Sequence, residues 1–366
     1  MSQRIVLHVD LDYFYAQCEE NLNPAIRSKP VVVCVYSGRT EDSGVVSTCN
    51  YHARNYGVRA GIPIARAEKL LEKIDAVFLP MNHPYYEEVS SSIMETLEPF
   101  GDAFEIAGID EAYLEITSRN HRDFQQAGQT AREIKQKVYA QEQITCTIGV
   151  APNKLLAKIA SAHNKPNGLT VIRPEDIAAF LRELEVGKIP GVGTKTEERL
   201  RQLNVRTIQE LTTLNQNVLR EVFGSGLGNY MYHAARGEDD EPVKARLQPT
   251  QVSRIATLKR NTREVSEILP VLLELAKLAT ARLNQKAMTC KTVSVIAILA
   301  DLSIHTKSRT LDSPTSDEDM ITQASRSLVE QFLNSTPDVM VRRVGVKLSG
   351  LSVRSGQTVI SKFLHY

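Results

Sequence analysis

Two acidic clusters set into apolar runs constrain this chain more than any other feature. The first reads Leu7-His8-Val9-Asp10-Leu11-Asp12-Tyr13-Phe14-Tyr15, and the second Glu105-Ile106-Ala107-Gly108-Ile109-Asp110-Glu111-Ala112-Tyr113-Leu114. Each has the β-branched and aromatic composition of a short strand, with carboxylates where a core strand should be apolar. A carboxylate in or beside a buried strand is costly unless it is paired or holds a metal. If the two strands lie side by side, Asp10, Asp110 and Glu111 meet at one point. That donor set of hard oxygens suits magnesium. Buried ion pairs are the competing reading on spacing alone. Asp12 reads as a local cap or hydrogen-bond partner.

At 366 residues the chain exceeds one core, and two to four domains are expected. With 42% hydrophobic and 24% charged residues, its composition is that of an ordinary soluble protein. No apolar stretch approaches the roughly 18 residues of a membrane span, and no signal peptide is visible, so a cytoplasmic protein without membrane contact is expected. Five cysteines without a C-x-x-C pair, and eight histidines without ligand spacing, point to reduced thiols and against a zinc site. The net charge of +1 hides a split. Residues 241–366 hold 18 basic and 11 acidic side chains, a net +7, which leaves −6 for residues 1–240. An acidic front and a basic back fit a metal site followed by a grip on a polyanion.

The hydrophobic pattern predicts strands at 4–10, 31–35, 45–48, 103–107, 112–116 and 145–150, with 103–107 and 112–116 forming a hairpin. Helices are expected at 15–22, 51–56, 63–73, 85–100, 124–141 and 153–163. This mixture indicates an α+β core. Short helices alone follow from 174 to 236. The acidic turn Gly237-Glu238-Asp239-Asp240-Glu241-Pro242 and the polar stretch after it read as a linker. A second α+β domain then spans 253–355, with strands near 254–259, 291–300 and 340–349 and helices near 264–285 and 316–334.

Several basic motifs accompany the acids. Tyr51 and Arg54 share one helical face, where a phenol and a guanidinium can hold a triphosphate. Lys165, in an Asn-Lys-Pro-Asn-Gly turn, could reach the same phosphates. Ile189-Pro190-Gly191-Val192-Gly193, between two helices, reads as the hairpin of a helix-hairpin-helix, whose backbone N–H groups approach a DNA phosphate without reading sequence. Lys259, Arg260, Arg342 and Arg343 supply basic clusters for salt-dependent contacts to a phosphate backbone. In the tail, Gln357, Ile360 and Phe363 recur every third residue, as in a peptide that docks in a partner's groove. Taken singly, each basic group is also readable as surface charge, and the tail as a turn packed on its own domain.

The motifs V-D-L-D-Y-F-Y-A, V-V-V-C-V-Y-S-G-R, C-N-Y-H-A-R, G-V-R-A-G-I-P, I-D-E-A-Y-L, T-I-G-V-A-P-N-K-L-L-A-K, K-P-N-G and I-P-G-V-G occur in this order. Together they resemble the Y-family DNA polymerases, specifically the DNA polymerase IV branch and its archaeal members. The resemblance is strong over 4–240 and continues through the last domain. It implies an α+β multidomain right hand: palm 1–13 and 83–172, fingers 14–82, helical thumb 173–238, linker 239–252, little finger 253–355 and tail 356–366. It assigns Asp10, the Leu11 carbonyl, Asp110 and Glu111 to two Mg2+ ions. Tyr13, Phe14, Thr48, Tyr51, Arg54 and Lys165 fall to the incoming deoxynucleoside triphosphate. Tyr15 becomes the steric gate against a ribose 2′-hydroxyl, although periodicity alone gives it a packing role. Val35, Val45, Ser47 and Gly61 become a small-residue roof over the nascent base pair. Gly191, Val192, Gly193, Lys259, Arg260, Arg342 and Arg343 face DNA, and Gln357, Ile360 and Phe363 face a sliding clamp. Two departures stand out. Gly108 occupies a position where the family commonly has Ser, and Leu364 replaces an aromatic in the clamp-binding pattern.

The implied activity is template-directed DNA synthesis past lesions by a monomer acting on primer-template DNA, with low fidelity. A nucleotidyl cyclase would also place acids on a strand and a hairpin, but would have no use for the helix-hairpin-helix or the basic last domain. A non-catalytic DNA-binding accessory would not need the three acids to converge.

Overall fold

The computed structural model describes residues 4–245 and 249–354. Its contacts divide the chain into two units. The first runs to residue 245 apart from Val35–Val45 and Pro63–Ala65, which group with the chain after residue 249.

The first unit is built in the order β1 (Val6–Leu11), α1 (Phe14–Leu22), β2 (Val31–Tyr36), β3 (Gly44–Cys49), α2 (Tyr51–Asn55), α3 (Ile64–Leu71), β4 (Val77–Pro80), α4 (His83–Leu97), β5 (Ala103–Ile106), β6 (Glu111–Glu115), α5 (Phe124–Glu142), β7 (Cys146–Ala151), α6 (Lys154–His163) and β8 (Leu169–Val171). Parts of β2, β3 and α3 cross into the second unit. Five strands form a sheet in the order β5-β6-β1-β7-β8, and β3-β2-β4 form a smaller one. β1 is central and antiparallel to both β6 and β7. It is buried on both faces, which explains its nearly unbroken apolar run. Leu7, Val9 and Leu11 join the core with Tyr86 and Ile93 of α4 and Ala131 and Ile134 of α5. Val6 joins a second core with Leu155, Leu156 and Ile159 of α6. α5 follows its apolar spacing, Ala127, Ala131, Ile134 and Val138, and is capped by Asp123 at the Gln125 N–H (2.7 Å).

The expected hairpin is present, with Phe104 opposite Leu114. Strands β4 and β8 were not expected from the pattern; each is short and runs parallel to a longer partner. Small helices follow: α7 (Ile177–Arg182), α8 (Thr194–Gln202), α9 (Ile208–Thr213), α10 (Gln216–Phe223) and α11 (Ser225–Ala234). The element entering the Pro190-Gly191 hairpin is a single 3-10 turn, Val186–Lys188, where a longer apolar helix was expected. The acidic stretch read as a linker is held on α6 through residue 241. Asn153 Nδ2 donates to the Gly237 carbonyl (2.7 Å), and Asp239 Oδ2 accepts from the Leu155 N–H (3.0 Å). Lys154 Nζ bridges Glu105 (2.8 Å) and Glu241 (2.9 Å).

In the second unit, β9 (Gln251–Thr262), α12 (Val265–Gln285), β10 (Met288–Leu299), β11 (Ile304–Thr315), α13 (Glu318–Ser335), β12 (Val341–Ser349) and β13 (Ser352–Val353) make a sheet ordered β11-β10-β12-β9, with β13 on β10. α12 and α13 cover one face, burying Leu272, Leu328 and Phe332 against Val293, Val295, Val344 and Val346. β11 was absent from the sequence expectation. The loop from Val35–Val45 joins this unit through Arg39, which donates to the carbonyls of Leu258 (2.6 Å) and Arg342 (3.3 Å) and to Asn261 Oδ1 (2.9 Å).

All five cysteines are buried thiols. Burial pushes Cys18 and Cys146 up to about 12 and Cys290 up to about 11. Among the described residues, no helix is long and apolar enough to cross a membrane.

Candidate active site and nucleic-acid interface

Asp10, near the end of β1, stands directly opposite Glu111, the first residue of β6. The Leu11 N–H donates to the Asp110 carbonyl (2.8 Å), which folds the turn before β6 against β1. Ser90 Oγ donates to the Ile109 carbonyl (2.5 Å), and the Ala107 and Gly108 N–H groups both donate to the Glu111 carbonyl (3.0 Å each). A Cβ on Gly108 would lie 3.1 Å from Glu111 Cγ and 3.4 Å from Asp110 Oδ1, so glycine leaves both acids room.

The acids differ in their electrostatics. Burial raises Asp10 above the usual carboxylate range, and the ammonium of Lys165, paired with Oδ1, offsets this in part. Burial, and then the charge of Glu111, raises Asp110. Glu111 is held down at about 2, first by the hydrogen bond from His8 Nε2 (3.2 Å) and then, against burial, by Lys158 at the same Oε2. His8 has no exposed surface, and burial lowers its pKa; Ser161 Oγ meets its Nδ1 at 2.7 Å. One ligand atom from each of His8, Asp10 and Glu111 lies within 4.8 Å of the others. Hydrogen-bonded from behind, His8 orients Glu111 in the way an outer ligand partner does. Asp110 lies outside that group of three and feels Glu111, Lys165 and Lys158 only through their charges, so three carboxylates and two ammoniums around it leave an excess of negative charge. Two of these acids are raised by burial, and a divalent cation relieves that cost.

The triphosphate candidates lie near these acids. Asn50 caps α2 by accepting from the Ala53 N–H (3.0 Å), which sets Tyr51 and Arg54 on one face. The Arg54 guanidinium sits 4.6 Å from the Tyr51 ring centroid, and its Nε donates to the Cys49 carbonyl (3.1 Å). The Tyr51 hydroxyl is buried with no partner in hydrogen-bond geometry; burial raises its pKa, the neighbouring Arg54 charge opposes this, and Asp12 and Asp10 add to it. Tyr13, at φ 35°, turns the chain from β1 into α1, and its ring meets Tyr51 edge-on at 5.3 Å. Phe14 is core. Tyr15 is half-buried, stacked on Tyr86 at 4.4 Å, and feels the charge of Asp110. Its packing role and a role beside the site are therefore compatible. Thr48 is half-buried on β3. Val35 and Val45 are 40% and 45% exposed. Ser47 Oγ contacts Met81 Sδ (3.7 Å), and Gly61 sits at φ 86°.

At the hairpin, Gly191 adopts φ 84°, a left-handed conformation that favours glycine. Val192 packs inward, while a Cβ on Gly193, the residue before α8, would meet nothing within 4 Å. In the second unit the basic residues are not equivalent. Arg260 is bound by both oxygens of Glu267, so one basic residue expected to face a phosphate has an acidic competitor. Lys259 is an exposed residue of β9. Arg342 lies at a bulge between β12 and β9. Arg343 and Lys347 alternate with the buried Val344, Val346 and Leu348, which places them on the sheet face opposite the helices. The tail residues Gln357, Ile360 and Phe363 lie outside the described residues.

His8, Lys158 and Lys347 were not singled out from the sequence. Lys154 and Lys158, one turn apart on α6, look there like a solvated helical face. His8 looks like an ordinary core residue until strand register puts it beside Glu111.

The impB/mucB/samB family matches residues 9–162, its C-terminal domain matches residues 249–361, and the DNA polymerase-iota thumb domain matches residues 187–239. DNA polymerase IV of Nitrosopumilus maritimus (strain SCM1) is 43% identical over 364 residues, covering 99% of this chain and 100% of that one. DNA polymerase IV of Saccharolobus solfataricus (strain ATCC 35092 / DSM 1617 / JCM 11322 / P2) is 41% identical over 345 residues, 94% of this chain and 96% of that one. Among solved structures, a Y-family DNA polymerase chimera of Dbh and Dpo4 matches with a TM-score of 0.90 at 40% identity, covering 95% of this chain and 99% of that one. An insertion ternary complex of Dbh DNA polymerase matches with a TM-score of 0.69 at the same identity and coverage. The fold is that of an α+β right-hand polymerase, and the enzyme is a metal-dependent, DNA-directed DNA polymerase. The chain belongs to the Y-family, in the DNA polymerase IV branch that includes the archaeal enzymes.

Proposed function

We propose that this polymerase copies damaged templates at low fidelity, adding deoxynucleotides to a primer end with two Mg2+ ions. The observation that carries the site is the register of β1 and β6, which sets Asp10 against Glu111 while Asp110 is tied to Leu11. Asp10, the Leu11 carbonyl, Asp110 and Glu111 would hold the ions. When bound, the pair supplies Lewis acidity at the attacking and leaving oxygens. The side chains divide the remaining work. Arg54 and the unpartnered Tyr51 hydroxyl bind phosphate oxygens, with Tyr13, Phe14 and Thr48 shaping the site around the sugar and phosphates. Lys165, which pairs with Asp10, transfers to the β- and γ-phosphates and offsets their developing charge. Tyr15 excludes a ribose by steric clash, held by its stack on Tyr86. Val35, Val45, Ser47 and Gly61 offer a roof of small side chains, which selects weakly on base-pair shape.

The palm, fingers, thumb and little finger take the boundaries given above. The hairpin at Gly191, Val192 and Gly193 and the basic residues Lys259, Arg260, Arg342 and Arg343 hold the primer-template backbone. The tail is proposed to bind a sliding clamp through Gln357, Ile360 and Phe363, and the enzyme to act as a cytoplasmic monomer.

Primer extension on undamaged and lesion-bearing templates tests this reading. Wild type should pass the lesion with magnesium. Asp110→Ala and Glu111→Ala should abolish addition while DNA affinity stays within about twofold. Extension by either variant removes the site assignment, and arrest at every lesion removes the bypass role. Tyr15→Ala should admit ribonucleotides, and an unchanged sugar preference removes Tyr15 from the gate.

A further inference from the structure

An open cleft of about 550 Å³ is lined by Arg132, Lys135, Gln136, Tyr139, Thr145 and Asn167, among others. Lys135, on the helix α5, is half-buried there. Among the described residues it forms no ion pair. Its ammonium instead donates to two consecutive carbonyls, those of Asn167 and Gly168 (2.9 Å for the latter). The N–H groups of the same two residues are held from the sheet side. Asn167 N donates to Asp12 Oδ2 (2.8 Å), and Gly168 N donates to Thr147 Oγ1 (3.2 Å). Asp12 is itself fully buried and fixed by Thr147 Oγ1 (2.7 Å) and Thr145 Oγ1 (3.1 Å). The 167–168 peptide unit is therefore pinned at donor and acceptor alike, and the Gly168 carbonyl also accepts from the Ile148 N–H (3.2 Å). A Cβ at Gly168 would lie 2.0 Å from the Asn164 carbonyl oxygen, so the turn is closed as tightly as glycine permits. Lys165, two residues before Asn167, projects from this turn to Asp10.

A half-buried ammonium that feels the charge of Asp12 but pairs with no acid is costly unless it makes several strong hydrogen bonds. Lys135 keeps part of its surface exposed at the cleft, and the two carbonyls take its donors. From this we infer that Lys135 is a positioning residue for Lys165: it holds the K-P-N-G turn at the height from which Lys165 meets the triphosphate. The inference rests on the triphosphate role proposed for Lys165 and adds a residue to it from the far side of the turn. Lys135 touches neither nucleotide nor acid, so its effect travels only through the backbone of 167 and 168.

The test is a double-mutant cycle in steady-state single-nucleotide insertion. Lys135→Met keeps the aliphatic stem and removes the donors. It should raise KM for the nucleotide about tenfold, with kcat and DNA affinity within about threefold. Lys135→Arg, which keeps donors for both carbonyls, should restore most of the loss. Lys135→Leu, which also lacks donors, carries the same test if the Met variant melts early by circular dichroism. The Lys135→Met/Lys165→Ala double variant should be no worse than Lys165→Ala alone, because the two act in series. Losses that multiply, or a folded Lys135→Met enzyme with KM unchanged, overturn the inference. If Lys165→Ala is itself silent, the triphosphate role of Lys165 fails. A raised KM for Lys135→Met in that case would show that Lys135 acts by another route, and would overturn the inference separately.

Discussion

Glu111 and Asp110 are neighbours with opposite relations to the fold. Glu111 is held at about 2, against 4.5 for an ordinary glutamate, by His8 and Lys158, so its ionised form stabilises the native state. Because the folded value is depressed, that contribution is complete above about pH 4.5 and is lost as pH falls toward 2. The shift corresponds to about 3 kcal/mol at most, and its 25% side-chain exposure trims this to roughly 2. Glu111→Gln should therefore lower the urea midpoint near pH 6.5, and the gap to wild type should narrow by pH 3.5. A gap that stays constant across that range would mean Glu111 is not the titrating contributor. Asp110 is raised by burial and by Glu111, so its charge costs the fold stability. At this scale the acids were legible because carboxylates are conspicuous inside apolar strands. Lys158 and His8 were not, since a lysine on an amphipathic helix and a histidine in a core strand are both ordinary until register brings them to Glu111.

The elements repeat the pattern. β1 was readable because burial on both faces demands continuous apolar residues, and the β5-β6 hairpin because two short apolar runs flank the acidic turn, although β5 is an edge strand with Ile106 49% exposed. β11 was not, because Ile304–Thr315 is exposed along nearly its whole length and is a strand only by pairing with β10. The hairpin was readable from its glycines, but the turn entering it proved shorter than the apolar pattern suggested. That hairpin carries a specific expectation. Gly193 has room for a side chain, and its φ of −90° suits any residue, so Gly193→Asp should fold normally and even cap α8. Its charge would meet a DNA phosphate, and affinity for primed DNA should fall roughly three- to tenfold by fluorescence anisotropy. Unchanged affinity would remove the hairpin from the DNA contact.

Across the whole molecule, the acidic front and basic back fall largely in different units. The first unit holds the acidic cluster, and the second carries Arg343 and Lys347, both partly exposed, on the sheet face opposite the helices, with Arg343 Nε buried and unpartnered. Neutralising both with Arg343→Ala/Lys347→Ala should reduce the slope of log affinity against log salt by about 1 to 2 and weaken all template sequences alike. A sequence-dependent loss would instead point to base contacts. The charge split was visible in the bare sequence. The face that carries it was not, because strand alternation on β12 decides which cations are presented and Glu267 decides which are neutralised.

The buried thiols carry a consequence for the conditions in which such an enzyme works. With no cysteine at the surface, and several held protonated well past neutrality, the molecule gives peroxides and alkylating agents little sulfur to attack. The chemicals that scar a genome would then leave its copyist intact. Native protein should release almost no chromophore from an aromatic disulfide reagent, and the full complement only after unfolding.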